Sequence, residues 1–182
     1  MILRPLTLLA AILIFCLLAA GTASAATTRS VPVRVVADAA YADTLAALIN
    51  GASQRIDLAM FLFKTSQARD NRPAGLVRDL VAARQRGVEV RVILEYSGRD
   101  QALDQANQET AQALRKGGVA VFFDSPQRTS HAKLAVIDHR HCLVGSHNLT
   151  QSALKYNHEF SLLLDSPQLA GEILAYMETI LK

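Results

Sequence analysis

The segment His131-Ala132-Lys133-Leu134-Ala135-Val136-Ile137-Asp138 sets an imidazole two residues ahead of an ammonium. On a strand, residues i and i+2 share a face. His131 and Lys133 therefore project together, and Ala132, Leu134 and Val136 point the other way, into a core. A neutral imidazole can attack phosphorus, and an ammonium stabilises negative phosphate oxygens. The pair suits a phosphodiester. Gly145-Ser146-His147-Asn148 follows. Gly145 permits a tight turn, and Ser146 and Asn148 can donate hydrogen bonds to non-bridging oxygens without adding charge. Glu159 opens a further expected strand. A carboxylate bonded to one imidazole nitrogen fixes the tautomer and raises the basicity of the other.

These residues need a scaffold, and the hydrophobic pattern supplies one. Val31 to Val36 reads as a strand, Asp43 to Ala52 as a helix, and Ile56 to Phe63 as a strand buried on both faces, with Asp57 the exception. Lys64 to Gly75 is polar and reads as a loop carrying Lys64, Arg69 and Arg72. A helix from Ala74 to Arg86, a strand from Val88 to Leu94, a helix capped by Asp100 and stopped at Gly117-Gly118, and a strand from Val119 to Phe123 follow. Asp124 to Ser130 is a turn-rich loop. Ala132 to Ile137 and Cys142 to Val144 are strands joined at Asp138-His139-Arg140, and Gly145 to Lys155 is a loop with one helical turn. After a strand from Phe160 to Leu164, Ser166-Pro167 opens a last helix with Leu169, Ile173, Leu174, Met177, Ile180 and Leu181 as its apolar stripe. This alternation implies an α/β layered fold, a central mixed β-sheet flanked by helices.

The chain has 182 residues, and its first segment reads as an export signal. Leu6 to Ala20 is apolar apart from Thr7, and Ala23-Ser24-Ala25 fits a signal-peptidase site. Cutting after Ala25 leaves residues 26–182 as a single domain, periplasmic or secreted. An uncleaved segment would hold it on a membrane instead, since the whole uncharged run is long enough to span one. The cut removes Cys16 and leaves Cys142, so no internal disulfide is expected.

The formal net charge is only +3, but the positive charge gathers in residues 64–86 and 125–158, and all five histidines lie in the second block. That clustering fits an anion-handling site. His139, His141, Cys142 and His147 lack the spacing of a structural zinc site, so turn and strand polarity is the better reading and no metal is expected. Cys142 reads as a buried thiol. His158 turns to the strand face opposite Glu159.

The set His131-x-Lys133-x4-Asp138, Gly145-Ser146-x-Asn148 and a following Glu159 resembles the phospholipase D superfamily, above all its short single-motif exported bacterial endonucleases. The resemblance extends over essentially all of residues 26–182 in length and element order. It implies a phospholipase D-like fold and a mechanism without metal or cofactor. One motif histidine attacks phosphorus to give a phosphohistidine, and a second protonates the leaving oxygen and later activates water. It implies that His131 is nucleophile or acid/base, that Lys133, Ser146 and Asn148 bind phosphate, and that Glu159 orients His131. Asp138 belongs to the motif but faces away from His131 on a regular strand, so its role is structural, as is that of Gly145. A single motif implies a homodimer with the site on its two-fold axis, bringing His131 against its own copy.

The expected substrate is nucleic acid, DNA or RNA, cleaved with little sequence preference. The absence of Trp and the small number of other aromatic residues argue against an extended base-stacking platform, so binding would rest on phosphate contacts, with Arg69 and Arg72 as candidates. Two alternatives stand beside this. One is a lipid phosphodiesterase of phospholipase D or cardiolipin-hydrolase type, against which no amphipathic, aromatic-rich docking segment is evident. The other is a non-catalytic nucleic-acid-binding module, against which the complete motif set argues.

Overall fold

The computed structural model describes residues 30–181. The export segment read in residues 1–25, with Cys16, lies outside them. Seven strands and five helices alternate as the hydrophobic pattern implies: β1 (Val33–Ala37), α1 (Ala40–Gly51), β2 (Arg55–Met60), α2 (Arg72–Gln85), β3 (Glu89–Leu94), α3 (Gln101–Lys116), β4 (Ala120–Phe123), β5 (Lys133–Ile137), β6 (His141–Gly145), α4 (Gln151–Lys155), β7 (Phe160–Asp165) and α5 (Pro167–Ile180). They form one sheet in the order β1-β7-β6-β5-β2-β3-β4. β2, β3 and β4 run parallel through helical crossovers, and β2, β5, β6, β7 and β1 pair antiparallel. The sheet is mixed and the fold is α/β, as expected.

Local chemistry sets the helix ends. The Asn71, Asp100, Thr150 and Ser166 side chains accept N-terminal amides of α2, α3, α4 and α5. Proline occupies the first turn of α2 and α5, where a missing N–H costs nothing. α2 begins at Arg72, earlier than the polarity of residues 64–75 suggests. β2 stops at Met60, leaving Phe61 to turn out toward the site.

The sheet is covered on both faces. Ile56, Leu58 and Met60 of β2, with Ala135 and Ile137 of β5, pack into the larger core beneath α1, α2 and α3. Ala59, Ile93, Val136 and Cys142 pack beneath α5 against Ala170 and Met177, with Leu134 against the same cluster. The expected facing of β5 holds, and its other face is buried as well. Leu134 and Val136 turn away from Lys133, toward the smaller core. The Lys133 row leads through Ala135 and Ile137 into the larger one. Asp57, buried in β2, is held by Arg55 Nε at 2.6 Å and Arg91 Nε at 2.6 Å. Arg91 also reaches Glu178 of α5 at 2.5 Å.

Among the described residues, no helix is long and apolar enough to cross a membrane.

Candidate active site

Antiparallel pairing brings the end of β2, the start of β5, the end of β6 and the start of β7 to one edge of the sheet. The register sets Met60 opposite Lys133, and Gly145 opposite Ser161. His131 therefore stands just ahead of β5, Ser146 and Asn148 just beyond β6, and Glu159 just before β7.

His131 and Lys133 share a support that the sequence did not disclose. The Phe61 ring meets the His131 ring edge-on, with centroids 4.6 Å apart, and the Lys133 ammonium lies 4.9 Å from the Phe61 centroid. Lys133 is buried, and its Nζ donates to the His131 carbonyl at 2.9 Å. Burial, and then the Lys133 charge, hold the His131 pKa below the usual histidine value of 6.5. The neutral, nucleophilic imidazole therefore dominates at pH 7. Burial also lowers the Lys133 pKa, opposed by the Glu159 carboxylate. Behind Phe61, the Asn107 side chain of α3 pins three backbone groups. Its Nδ2 donates to the Phe61 and Glu95 carbonyls at 2.9 Å each, and its Oδ1 accepts from Phe63 N at 2.9 Å.

The remaining motif residues are placed less simply. The Ser146 hydroxyl donates to Glu159 Oε2 and accepts from Phe160 N at 3.1 Å. Its single proton is therefore engaged with Glu159 here. Glu159 also accepts from Asn157 Nδ2 at 3.1 Å, and no bond joins it to His131 within the described chain. The reason is distance: β7 is separated from β5 by β6, about 9–10 Å for two strand spacings. Asn148 Oδ1 is a buried acceptor without a hydrogen-bond partner.

Gly145 is needed for a reason other than the expected turn. Its φ is not positive. A Cβ there would collide with Ser161 and the Phe160 carbonyl, so glycine permits close approach of β6 to β7. Asp138 faces away from the site. Its carboxylate accepts from Ser53 N (2.9 Å), Ser53 Oγ (3.0 Å), Gln54 N (2.8 Å) and Arg55 N (3.0 Å), fixing the entry to β2. Asp138 and His139 both have positive φ, near 51° and 53°. Arg140 N donates to the Ile137 carbonyl across them at 3.1 Å, which makes a hairpin turn of His139. Cys142 is a buried thiol pushed up to about 11 by desolvation.

Two further expectations change. Arg72 is no free nucleic-acid contact, because its guanidinium donates to the Ala39 and Leu154 carbonyls at 2.9 and 3.1 Å. Arg69 is exposed. His147 is a buried bridge rather than turn polarity, with Nδ1 2.7 Å from Ser161 Oγ and Nε2 3.0 Å from the Asp38 carbonyl. On either side of Glu159 in the chain, Tyr156 is 69% exposed and Phe160 54%.

The site thus offers a neutral imidazole beside a buried ammonium, both backed by an aromatic ring, at an open sheet edge. That arrangement can attack a phosphodiester and stabilise the charge that develops on it.

The family model described as "Cardiolipin synthase, PLD-like domain" matches residues 45–181. The mitochondrial cardiolipin hydrolase of Homo sapiens is 31% identical over 143 residues, covering 79% of this chain and 51% of that protein. The phospholipase D of Rickettsia prowazekii is 32% identical over 95 residues, covering 52% of this chain and 44% of that protein. The chain spans about half the length of these curated relatives. Among solved structures, the phospholipase D family member Nuc from Salmonella typhimurium superposes with a TM-score of 0.70 at 21% identity, over 83% of this chain and 94% of that one. NucT from Helicobacter pylori superposes with a TM-score of 0.66 at 19% identity, over 84% and 96%. These two share the fold.

Proposed function

The chain belongs to the phospholipase D superfamily, and from that premise we propose that it is a metal-independent endonuclease of low sequence specificity, acting as a homodimer. The observation that carries this reading is the neutral imidazole of His131 packed with the Lys133 ammonium against Phe61. In the proposed reaction His131 attacks phosphorus, an N–P bond forms, and the P–O bond to the leaving strand breaks. The counterpart His131 of a second copy, protonated as an imidazolium, gives its proton to the leaving oxygen. It then takes a proton from water as that water displaces the phosphohistidine. Lys133 and Asn148 hold the phosphate oxygens. Ser146 joins them once its proton is released from Glu159. The export segment read in residues 1–25 makes the periplasm or the exterior the proposed place of action.

A lipid phosphodiester is the second reading. The names of the curated relatives favour it, as do exposed Tyr156 and Phe160 flanking Glu159, which could receive an acyl chain.

Incubating the purified protein with plasmid, single-stranded DNA, RNA and labelled phospholipid vesicles, each with EDTA, separates the two. Cleavage of nucleic acid that persists in EDTA is the expected result. Turnover of lipid alone would transfer the assignment to the second reading. Turnover of nothing by a folded protein would leave a binding module.

A further inference from the structure

Two buried carboxyl groups lie beside the site, and the proposed reaction does not use them. Glu95 follows β3 and Asp124 follows β4, at the same sheet edge as His131. They are 1% and 6% exposed. The backbone N–H of Ser130, immediately before His131, donates to both: 2.6 Å to Glu95 Oε2 and 3.1 Å to Asp124 Oδ2. Asp124 Oδ1 accepts from Tyr96 N at 2.6 Å. The backbone beneath is fixed as well, with Asn107 bonded to the Glu95 carbonyl and Asp124 N bonded to the Leu94 carbonyl. Among the described residues, neither carboxyl forms an ion pair with a lysine or arginine.

Carboxyl groups this close and this buried do not both ionise. The Asp124 side chain, after burial, favours the protonated form of Glu95. We propose that the Glu95–Asp124 pair, holding one proton between its two carboxyls, is a positioning device that clamps the Ser130 amide and so fixes where the His131 imidazole stands. The proposal rests on His131 being the nucleophile.

The charged groups facing Glu95 are Asp124, at the end of β4, and Asp104 of α3, which is itself bonded to Ser97 N and Gly98 N. Burial first, then these two carboxyls, push the Glu95 pKa up to about 7, against the lowering effect of the Ser130 amide. Above that pH, two anions compete for one N–H and repel each other. The 124–130 loop loosens and carries His131 with it. A nucleophile displaced by about 1 Å loses on the order of 100-fold in rate. Glu95→Gln keeps a neutral side chain that can donate to Asp124 and accept from Ser130 at every pH.

The test follows the Ser130 amide and the His131 ring by NMR in the full chain, together with cleavage, from pH 5.5 to 8.5 (roughly the span over which such a pair titrates). In the wild type the Ser130 amide should shift with a midpoint near pH 7. In Glu95→Gln that shift should vanish. The ratio of kcat at high pH to kcat at low pH should be on the order of 100-fold larger in Glu95→Gln than in the wild type, with KM changed less than about twofold. Asp124→Asn, which removes the like charge, should move the Ser130 midpoint to lower pH. It supplies the same decision if Glu95→Gln does not fold. A Ser130 amide that does not titrate near pH 7, or that titrates alike in wild type and Glu95→Gln, would overturn the clamp. So would an unchanged alkaline limb in Glu95→Gln. A wild type that cleaves nothing ends the nuclease reading, and the Ser130 titration still decides the clamp.

Discussion

The His147 imidazole lies flat on the Tyr41 ring, with centroids 4.2 Å apart and planes 14° from parallel. Both side chains are fully buried, and His147 joins Ser161 of β7 to the Asp38 carbonyl ahead of α1. This histidine holds the fold beneath the site. His147→Ala should therefore lose about 2–4 kcal/mol of stability in urea unfolding, and a loss below about 0.5 kcal/mol would contradict the role.

Two buried groups set opposite pH slopes on stability. Burial holds the His147 pKa below 6.5, so the unfolded chain binds the proton first. Its contribution is complete above pH 6.5 and declines as pH falls below that value. Glu95 works in the other direction. Raised from 4.5 to about 7, it keeps in the folded state a proton that the unfolded chain has released. Stability from it falls as pH rises from about 4.5 to about 7. Between about pH 5 and 6.5, relative to wild type, Glu95→Gln should gain stability as pH rises and His147→Gln should lose it. Thermal unfolding at several pH values reads both slopes, and slopes of like sign would refute the assignment.

The chemistry makes a sharper demand on His131. His131→Ala should cut cleavage by about 10⁴-fold or more while circular dichroism and oligomeric state stay those of the wild type. His139→Ala, in the hairpin turn away from the site, should not. Because attack needs one His131 neutral and the leaving strand needs its counterpart protonated, kcat/KM should pass through a maximum and fall on both sides, with its acidic limb below pH 6.5, where the His131 pKa lies. Substantial cleavage by His131→Ala would remove it as nucleophile.

At Gly145 the prediction is steric. Gly145→Ala places a methyl group against the Ser161 backbone and the Phe160 carbonyl, which cannot rotate away. A destabilisation of about 1–3 kcal/mol is expected, with a loss of activity because the Ser146–Glu159 contact lies next to the strained pair. Gly171 in α5 has open space where its Cβ would stand, so Gly171→Ala should stabilise by about 0.5–1 kcal/mol. Equal effects at the two positions would rule out the close-approach explanation.

Asp57 makes the fourth structural case. Its carboxylate sits 2% exposed between Arg55 and Arg91. Asp57→Ala leaves both guanidinium groups short of a partner and should cost about 2–4 kcal/mol in chemical denaturation. It should leave the pH profile of cleavage unchanged, since the cluster lies near the start of β2, away from Phe61.

Local features carried their meaning in the sequence. The two-residue spacing of His131 and Lys133 fixes a shared face, and the odd spacing to Asp138 turns that carboxylate away, as found. The apolar stripe of α5 and its Ser166-Pro167 start were likewise legible. Contacts between distant segments were not. Nothing near Arg72 in the chain shows that Ala39 and Leu154 will present carbonyls to it. Nothing near Glu159 says that Ser146 is closer than His131. His147 looks like a turn residue until Tyr41 folds over it, and Glu95 and Asp124 look like ordinary strand-end charges until the Ser130 amide falls between them. In each case tertiary packing decided a role that composition and periodicity leave open.

The pairing of β1 with β7 has a consequence for how the chain assembles. Val33 bonds opposite Leu164, so the first strand finds its partner only when the last has been made. Up to that point β1 must remain loose, and β6 presents an open edge. Closing this contact gathers nearly the whole domain into one loop, the slowest kind of pairing to form. A chain ending before Glu159 lacks both the closure and that carboxylate, so the sheet becomes whole in the same step that brings Glu159 to the edge where His131 stands.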